Sequence, residues 1–293
     1  MNINMKYYIV TIGAIFIALG VGILVGFNLN YDQALSKQQS EVLESFNTEF
    51  DDLKNKNKNL QSEIDNLNGD VNTLKSYVDK NVNGLTVDAL TDKNTGIILT
   101  SENYDYSEEL EELITNANGT VSFNIVIKDN ISDEDKLARL SKDLNKTFKS
   151  SQDVINYIVD SLASAKGYEQ IYALEDLGVV KINEINKENY QAYDSVVLLG
   201  ESSGDDIKAK FNEKEKIIID KLKEGNKYLV AVSQSDSENT ILELYSKNNV
   251  STIDNINEGI GKVSLVNLLK NQNIVGNYGT SKNAKELIAY DNN

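Results

Sequence analysis

The stretch LESFNTEFDDLKNKNKNLQSEIDNLNGDVNTLKSYV, residues 43–78, decides the architecture of this chain, because apolar residues recur through it with a seven-residue period. With heptad positions lettered a to g, the a positions hold Leu43, Phe50, Asn57, Ile64, Val71 and Val78. The d positions hold Phe46, Leu53, Leu60, Leu67 and Leu74. Asn57 is the one polar residue in the two sets. Such a repeat predicts a long helix that pairs with another helix along its a and d side chains.

The residue types within the repeat favour a parallel dimer. β-branched residues at a, combined with Leu at d, favour two parallel strands, and a buried Asn such as Asn57 fixes register and oligomer state. Asp70 at g would face Lys75 at e of the second helix. We therefore predict a parallel coiled-coil stalk over residues 32–80, paired either in a homodimer or in a coiled-coil heteromer with a related chain. The alternative is an amphipathic helix that packs on the chain's own head.

An uncharged apolar segment precedes the stalk. Residues 7–31 carry no charge, and the apolar part, residues 8–29, matches the roughly 20 residues that cross a bilayer. We predict a cytoplasmic N-terminus and transmembrane anchor over residues 1–31. A cleaved signal peptide is the alternative, but its apolar core would be shorter, about 7–15 residues, and would end in small residues. Lys6 precedes the segment, which predicts a single-pass protein of the cell membrane with an extracytoplasmic stalk and head.

Small residues recur every fourth position in this segment, at Ala14, Ala18, Gly22 and Gly26. Small residues at that spacing lie on one helical face and let two helices approach closely in lipid. We predict a packing face between two anchors, although Gly and Ala are also common in membrane helices without such a role.

Composition excludes several kinds of site. The chain has 293 residues, a net charge of -16, and no Cys, His or Pro. An acidic surface repels nucleic acid, so no nucleic-acid partner is predicted. Disulfides and every catalytic or metal site built on Cys or His are excluded. We predict no catalytic residues, no metal ligands and no cofactor, because no spacing of the remaining residue types singles out such a site.

Beyond a polar linker over residues 81–95, the alternation of apolar runs with amphipathic segments predicts an α/β head over residues 96–293 with a mainly parallel sheet. The predicted strands are 96–100, 121–127, 195–199, 228–233 and 250–253. The predicted helices are 107–117, 132–148, 154–165, 168–177, 213–224, 237–247 and 260–270.

Two loops follow predicted strands, where ligands bind in parallel sheets. Asp254 and Asn255 follow the last of these strands and form a possible ligand or partner loop; a turn that starts the next helix is the alternative. Residues 200–204 form the other loop, which lacks the spacing of a phosphate-binding motif. Asp205 and Asp206 after it would meet a cation, cap the following helix or remain solvated.

A family resemblance rests on both ends of the chain. The apolar segment 9–26, with the core Ala18-Leu19-Gly20-Val21-Gly22 and the heptad repeat after it, resembles the start of the bacterial "copper transporter" family of MctB-like and SteB-like proteins. The run 250–257, a helix and then Asn277-Tyr278-Gly279 resemble the end of that family. The resemblance implies a cell-envelope protein. One branch of the family is associated with copper efflux or pore formation, and another with cell division and control of cell-wall hydrolysis through a SteA-like membrane partner.

Three functions are therefore in competition. The first is a non-enzymatic, membrane-anchored dimeric scaffold whose acidic head or stalk docks other envelope proteins, including a SteA-like partner. The second is a copper efflux transporter or pore component. Copper sites favour Cys, Met and His, and the two Met residues of the chain, Met1 and Met5, both precede the apolar segment. The third is a ligand-binding or enzymatic α/β head.

Overall fold

The computed structural model describes residues 5–103, 105–200, 206–235 and 240–290, with the side chains of residues 28–34 and Thr240 left aside. The chain divides into two compact units, Met1–Val71 and Asn72–Asn293. Residues 201–204 and Asp205, which the sequence offers as a loop and a cation site, lie outside the described residues.

Helix α1 runs from Met5 to Thr86. The helical conformation predicted for the anchor and the stalk is therefore confirmed, and the absence of Pro permits a helix of this length. Pairing of this helix with a second chain stays a prediction. The polar linker predicted over residues 81–95 differs from the structure, because α1 continues through its first part and a turn over residues 87–92 leads directly into a strand. Val82 and Leu90 are buried there because they join the core of the head.

The second unit is an α/β fold. Its strands are β1 Asn94–Leu99, β2 Thr120–Ile127, β3 Val180–Ile185, β4 Ser195–Leu199, β5 Tyr228–Val232, β6 Ser251–Ile253 and β7 Asn277–Tyr278. Its helices after α1 are α2 Ser107–Asn116, α3 Glu134–Asp143, α4 Ser151–Leu162, α5 Gly167–Asp176, α6 Ile207–Glu213, α7 Glu215–Glu224, α8 Thr240–Lys247 and α9 Gly259–Asn271, with a short 3-10 helix at Asp129–Ser132.

The strands form one sheet in the order β3-β2-β1-β4-β5-β6-β7. All neighbouring pairs are parallel except β2 with β3. The predicted α/β class and mainly parallel sheet are therefore confirmed. In β1 the register places Ile98 opposite Ile125 of β2 on one side and Leu198 of β4 on the other.

Hydrophobic clusters cover both faces of the sheet, because successive side chains of a strand point to opposite faces. Ile98 of β1 belongs to the cluster that contains residues of α4, α5, α7 and α8. Its neighbours Ile97 and Leu99 belong to the cluster that contains α2 and α9. Val82 near the end of α1 and Ala289 near the other end of the head both lie in this second cluster.

Several elements differ from the sequence-based prediction. The helix predicted over residues 132–148 ends at Asp143, and the Ser141 hydroxyl then accepts a hydrogen bond from the Phe148 amide at 2.9 Å. The helix predicted over residues 213–224 is divided into α6 and α7 at Lys214. Strands β3 and β7 were not predicted. Asp206 adopts a left-handed conformation before α6 and its side chain makes no capping hydrogen bond there.

The end of α1 packs closely against the start of α9. The Asp79 carboxylate accepts a hydrogen bond from the Gly259 amide, while Glu258, at the N-cap position of α9, makes no side-chain cap of its own. A Cβ at residue 259 would lie 2.7 Å from the Asp79 Cα, so only glycine fits this approach. Glu258 instead accepts from the Lys75 ammonium at 3.0 Å. Lys75 was predicted to face Asp70 of a second helix. In the structure it instead forms an ion pair with Glu258 of its own chain.

Candidate functional site

A cavity of about 330 Å³ lies at the carboxyl ends of the central strands. Thr100, directly after β1, and Asp129, soon after β2, form part of its wall. Helix α2, which follows β1, packs on one face of the sheet, and α7, which follows β4, packs on the other. The helices that follow β1 and β4 thus pack on opposite faces of the sheet. Between two such neighbouring strands a crevice opens at their carboxyl ends, and parallel sheets bind ligands there.

Glu215 is the most unusual side chain of this cavity. It is the first residue of α7, only 5% exposed, and its Oε1 accepts a hydrogen bond from the Thr100 hydroxyl at 2.7 Å. Its Oε2 has no hydrogen-bond partner among the described residues. Burial raises the pKa of the Glu215 carboxyl, because the charged form is poorly solvated there. In its protonated form the Glu215 carboxyl can donate a hydrogen bond as well as accept one.

Lys214 closes the same wall of the cavity. Its ammonium donates to the Thr100 carbonyl oxygen at 2.6 Å and to Asp129 Oδ1 at 2.8 Å. The Lys214 side chain is 10% exposed, whereas that of Asp129 is 79% exposed. The ion pair therefore joins a buried cation to a carboxylate at the mouth of the cavity, and fixes the loops after β1 and β2 against the start of α7.

The rest of the cavity is largely apolar. The side chains that form its apolar wall belong to Ile131, Ile207, Phe211 and Ile241. Phe211 packs edge-to-face on Tyr245 with ring centroids 5.3 Å apart. The Tyr245 hydroxyl is buried, and burial raises its pKa well above the ordinary value, so it stays protonated. The cavity thus combines this apolar wall with the polar groups of Thr100, Lys214 and Glu215.

A second polar cluster, between α2, β2 and β3, is internally satisfied. The Asn124 amide donates to Ser107 Oγ at 2.8 Å and to Glu111 Oε1 at 2.7 Å. Asn183 donates to Asp105 at 3.2 Å. Although burial alone would raise it, hydrogen bonds from Ser107 and Asn183 lower the pKa of Asp105. Because its groups are partnered, we assign this cluster to structure.

The loop that the sequence singles out, Asp254 and Asn255, is buried. Both oxygens of the Asp254 carboxylate accept backbone hydrogen bonds, from Thr280 at 2.7 Å and from Ser281 at 2.8 Å. Gly279 has a φ of +130° and approaches the same carboxylate so closely that no side chain would fit. The geometry matches the alternative interpretation, a turn before α9, since Asp254 is occupied in holding the segment after β7.

The predicted anchor and stalk residues lie apart from this cavity along the sequence. The helix Met5–Phe27 is long and apolar enough to cross a membrane, and none of it is buried in the single chain. Ala14, Ala18, Gly22 and Gly26 are exposed on it. The stalk residues are also exposed, apart from the half-buried Val78: Leu43, Phe46, Phe50, Leu53, Asn57, Leu60, Ile64, Leu67, Val71 and Leu74.

Sequence reasoning missed Glu215 and Lys214. The chain has 45 Asp and Glu residues, and nothing in the local sequence distinguishes the one whose side chain is enclosed. The one available signal is the pair itself, which lies one residue before the apolar run Ile217-Ile218-Ile219 of α7. Among the described residues no group of three or more acidic side chains is arranged to hold a metal ion.

Comparison with known proteins adds the family. No curated protein matches the chain. A family model described as "Copper transport outer membrane protein, MctB" matches residues 2–289, which include the apolar helix, the heptad repeat and the α/β head. The resemblance found at the two ends of the sequence is thereby confirmed over nearly its whole length, and the chain belongs to the MctB family of copper transport outer membrane proteins.

Proposed function

We propose that this chain is a single-pass envelope protein that forms a parallel coiled-coil dimer and docks other envelope proteins through its stalk or head, without enzymatic activity. Family membership indicates a copper-related protein of the envelope, and the apolar helix Met5–Phe27 indicates membrane association. The observation that carries the proposal is the exposed apolar stripe along α1. Leu60 and Leu67, for example, are 55% and 57% exposed in the single chain.

A second copy of the chain is the simplest partner that could bury the exposed apolar stripe of α1. Exposed apolar surface of this extent is costly in water, and its spacing fits a seam in which each side chain enters a hole on a facing helix. Two copies anchored in the same membrane through residues 8–29 would have to run parallel, as Leu at d with β-branched residues at a favours. The small residues from Ala14 to Gly26 would pack the two anchors together in lipid.

The partner beyond the dimer is proposed from the family resemblance. A SteA-like membrane protein is the candidate, which would link this chain to cell division and cell-wall control. The head carries a surplus of acidic residues, which supports electrostatic docking of a partner.

Disulfide trapping in native membranes tests the dimer. Because the chain has no Cys of its own, only an introduced thiol can form the cross-link. Leu67→Cys places a thiol at a d position, where facing Cβ atoms of a parallel dimer come within disulfide reach. Ser62→Cys, at the outward f position, is the matched control. Mild oxidation should give a band of twice the monomer mass for Leu67→Cys and little of it for Ser62→Cys. Equal cross-linking of the two variants would contradict the seam, and a band of another mass would identify a heteromer.

Copper transport is the second candidate, favoured by the description of the family. The chain itself offers no Cys or His, and its two Met residues precede or begin the apolar helix. Tight binding of Cu(I) requires such soft ligands. We therefore rank direct copper transport below the scaffold role, in which a copper-handling activity would belong to a docked protein.

A further inference from the structure

The end of α1, residues 72–86, packs against the chain's own head along one flank. Val82 is 8% exposed and belongs to the second hydrophobic cluster. The Asp79 carboxylate and the Lys75 ammonium bind the start of α9. In the heptad lettering of the stalk, Lys75 and Val82 stand at position e and Asp79 at position b. The head therefore occupies the e and b flank of the helix.

A second apolar face of the same residues is left open. Leu74 is 66% exposed, Tyr77 is 62% exposed and Leu85 is 52% exposed, and they stand at positions d, g and a. No other residue of 72–86 presents a large apolar side chain to solvent. With 3.6 residues per turn, positions b and e lie on average about 100° around the helix from the line between a and d. A helix that only supported its own head would need one apolar face, and this helix has two.

The open face carries no charge, although the chain has a net charge of -16. The charged residues of the stretch stand at positions e, b and c: Lys75, Asp79 and Lys80. Two copies of an acidic chain repel each other, so an uncharged face is where they can approach. Asn81, the polar residue at position d, donates its side-chain amide to the Tyr77 carbonyl oxygen at 2.7 Å, which satisfies part of its hydrogen bonding when it is buried.

The register of the repeat identifies what covers this face. Leu85 lies seven residues after Val78, so the a positions continue without interruption beyond residue 80, where the predicted stalk ends. Helix α1 also continues unbroken to Thr86. If residues 43–78 pair with a second copy in parallel, the same register brings residues 72–86 of the two copies opposite each other. This step rests on the dimer of the proposed function.

We propose that residues 72–86 pair with the same residues of a second copy, through a seam that contains Leu74 and Leu85. Tyr77 of each chain then packs against the foot of the other chain's head. In a parallel coiled coil a residue at g faces the e residue five positions later on the other helix. For Tyr77 that residue is Val82, which the head already covers from its own side. Two-fold symmetry places the two heads on opposite flanks of the coil.

Disulfide trapping of the full chain in native membranes tests the seam. Leu85→Cys places a thiol at an a position, and Ser76→Cys, at the outward f position, is the matched control. Both residues are exposed in the single chain, so neither substitution disturbs the core of its own head. Mild oxidation should convert most of Leu85→Cys, and little of Ser76→Cys, to a band of twice the monomer mass.

The same experiment separates this proposal from the proposed function. Cross-linking of Leu67→Cys without cross-linking of Leu85→Cys would overturn the extended seam and leave the dimer intact. Failure of both variants to cross-link would overturn both. Equal cross-linking of Leu85→Cys and Ser76→Cys would also contradict the seam.

The contact with the second head has its own test. Tyr77 is replaced by the photo-cross-linker benzoylphenylalanine, and the same replacement of Ser76 is the control. Ultraviolet light should give a dimer band on a denaturing gel for position 77 and little for position 76. Mass spectrometry of that band should find the cross-link on Val82 or at the start of α9. Absence of the band, or a cross-link to another part of the second chain, would overturn the placement of Tyr77.

Discussion

At the scale of single residues, Glu215 makes the head sensitive to pH. Its pKa in the folded chain is raised from the ordinary value of 4.5, so folding favours the protonated form. The stabilisation that protonation contributes is complete below pH 4.5 and is lost as the pH rises through the raised pKa. Glu215→Gln removes this dependence. We expect the variant to gain stability over wild type with rising pH, by at most about 1.4 kcal/mol per pH unit within that window. Denaturation followed by tyrosine near-ultraviolet circular dichroism measures this, and parallel pH profiles would contradict it.

Gly259 offers a second test at this scale. A Cβ on this residue would meet backbone atoms of Asp79 at 2.7 and 2.8 Å, and backbone atoms cannot turn aside as a side chain would. We expect Gly259→Ala to destabilise the head by about 1–3 kcal/mol, as overpacking does elsewhere. Gly84→Ala is the control, because no heavy atom lies within 4 Å of its added Cβ, and removing a helical Gly should stabilise by about 0.5–1 kcal/mol. Equal effects of the two substitutions in chemical denaturation would argue against the close contact.

At the scale of elements, Asn57 would determine the register and oligomer state of the proposed stalk. A buried amide at an a position costs stability but restricts register and oligomer state. We expect Asn57→Val to raise the melting temperature of the stalk and to broaden the range of oligomers, measured by thermal melting with molar-mass determination. Asn59→Val, at the outward c position, should do neither. A lower melting temperature for Asn57→Val would show that this residue is not in a seam.

The elements also show what the sequence could and could not predict. Strands β1, β4 and β5 were predictable because both of their faces are covered, which requires nearly continuous apolar runs. Strand β3 was missed because it is the antiparallel edge of the sheet and leaves Lys181 and Glu184 exposed. Strand β7 has only two residues, too few for any periodic pattern.

The cavity was harder to predict because its character comes from tertiary contacts. Thr100, Asp129 and Glu215 are distant in sequence and meet only when the sheet has formed. The heptad repeat and the apolar segment, by contrast, are local patterns that the chain displays without folding. Sequence alone therefore located the apolar helix and the heptad repeat, but not the side chain that is enclosed.

At the scale of the whole molecule, the chain should not retain Cu(I). Such affinity needs thiolate, thioether or imidazole ligands, and beyond Met5 the sequence contains none. We expect the purified chain to lose all Cu(I) to a chromogenic chelator in a competition titration, although carboxylates and carbonyls can still hold Ca²⁺ or Mg²⁺ weakly. Met5→Leu serves as the control for residual binding. Retention of one equivalent of Cu(I) would place the copper-transport function first.

The second hydrophobic cluster has a consequence for the order in which the protein is synthesised and folds. It contains Val82 from the end of α1 and Ala289, whose amide donates to the Ser264 hydroxyl at 3.1 Å and whose carbonyl oxygen accepts from Asn267 at 2.8 Å. Synthesis proceeds from the amino end, so the apolar helix can reach a membrane while most of the head is still untranslated. The head cannot close this cluster until residue 289 has left the ribosome, and contacts between such distant residues form slowly. A chaperone that shields the unfinished sheet would therefore act after membrane insertion and until residue 289 has emerged.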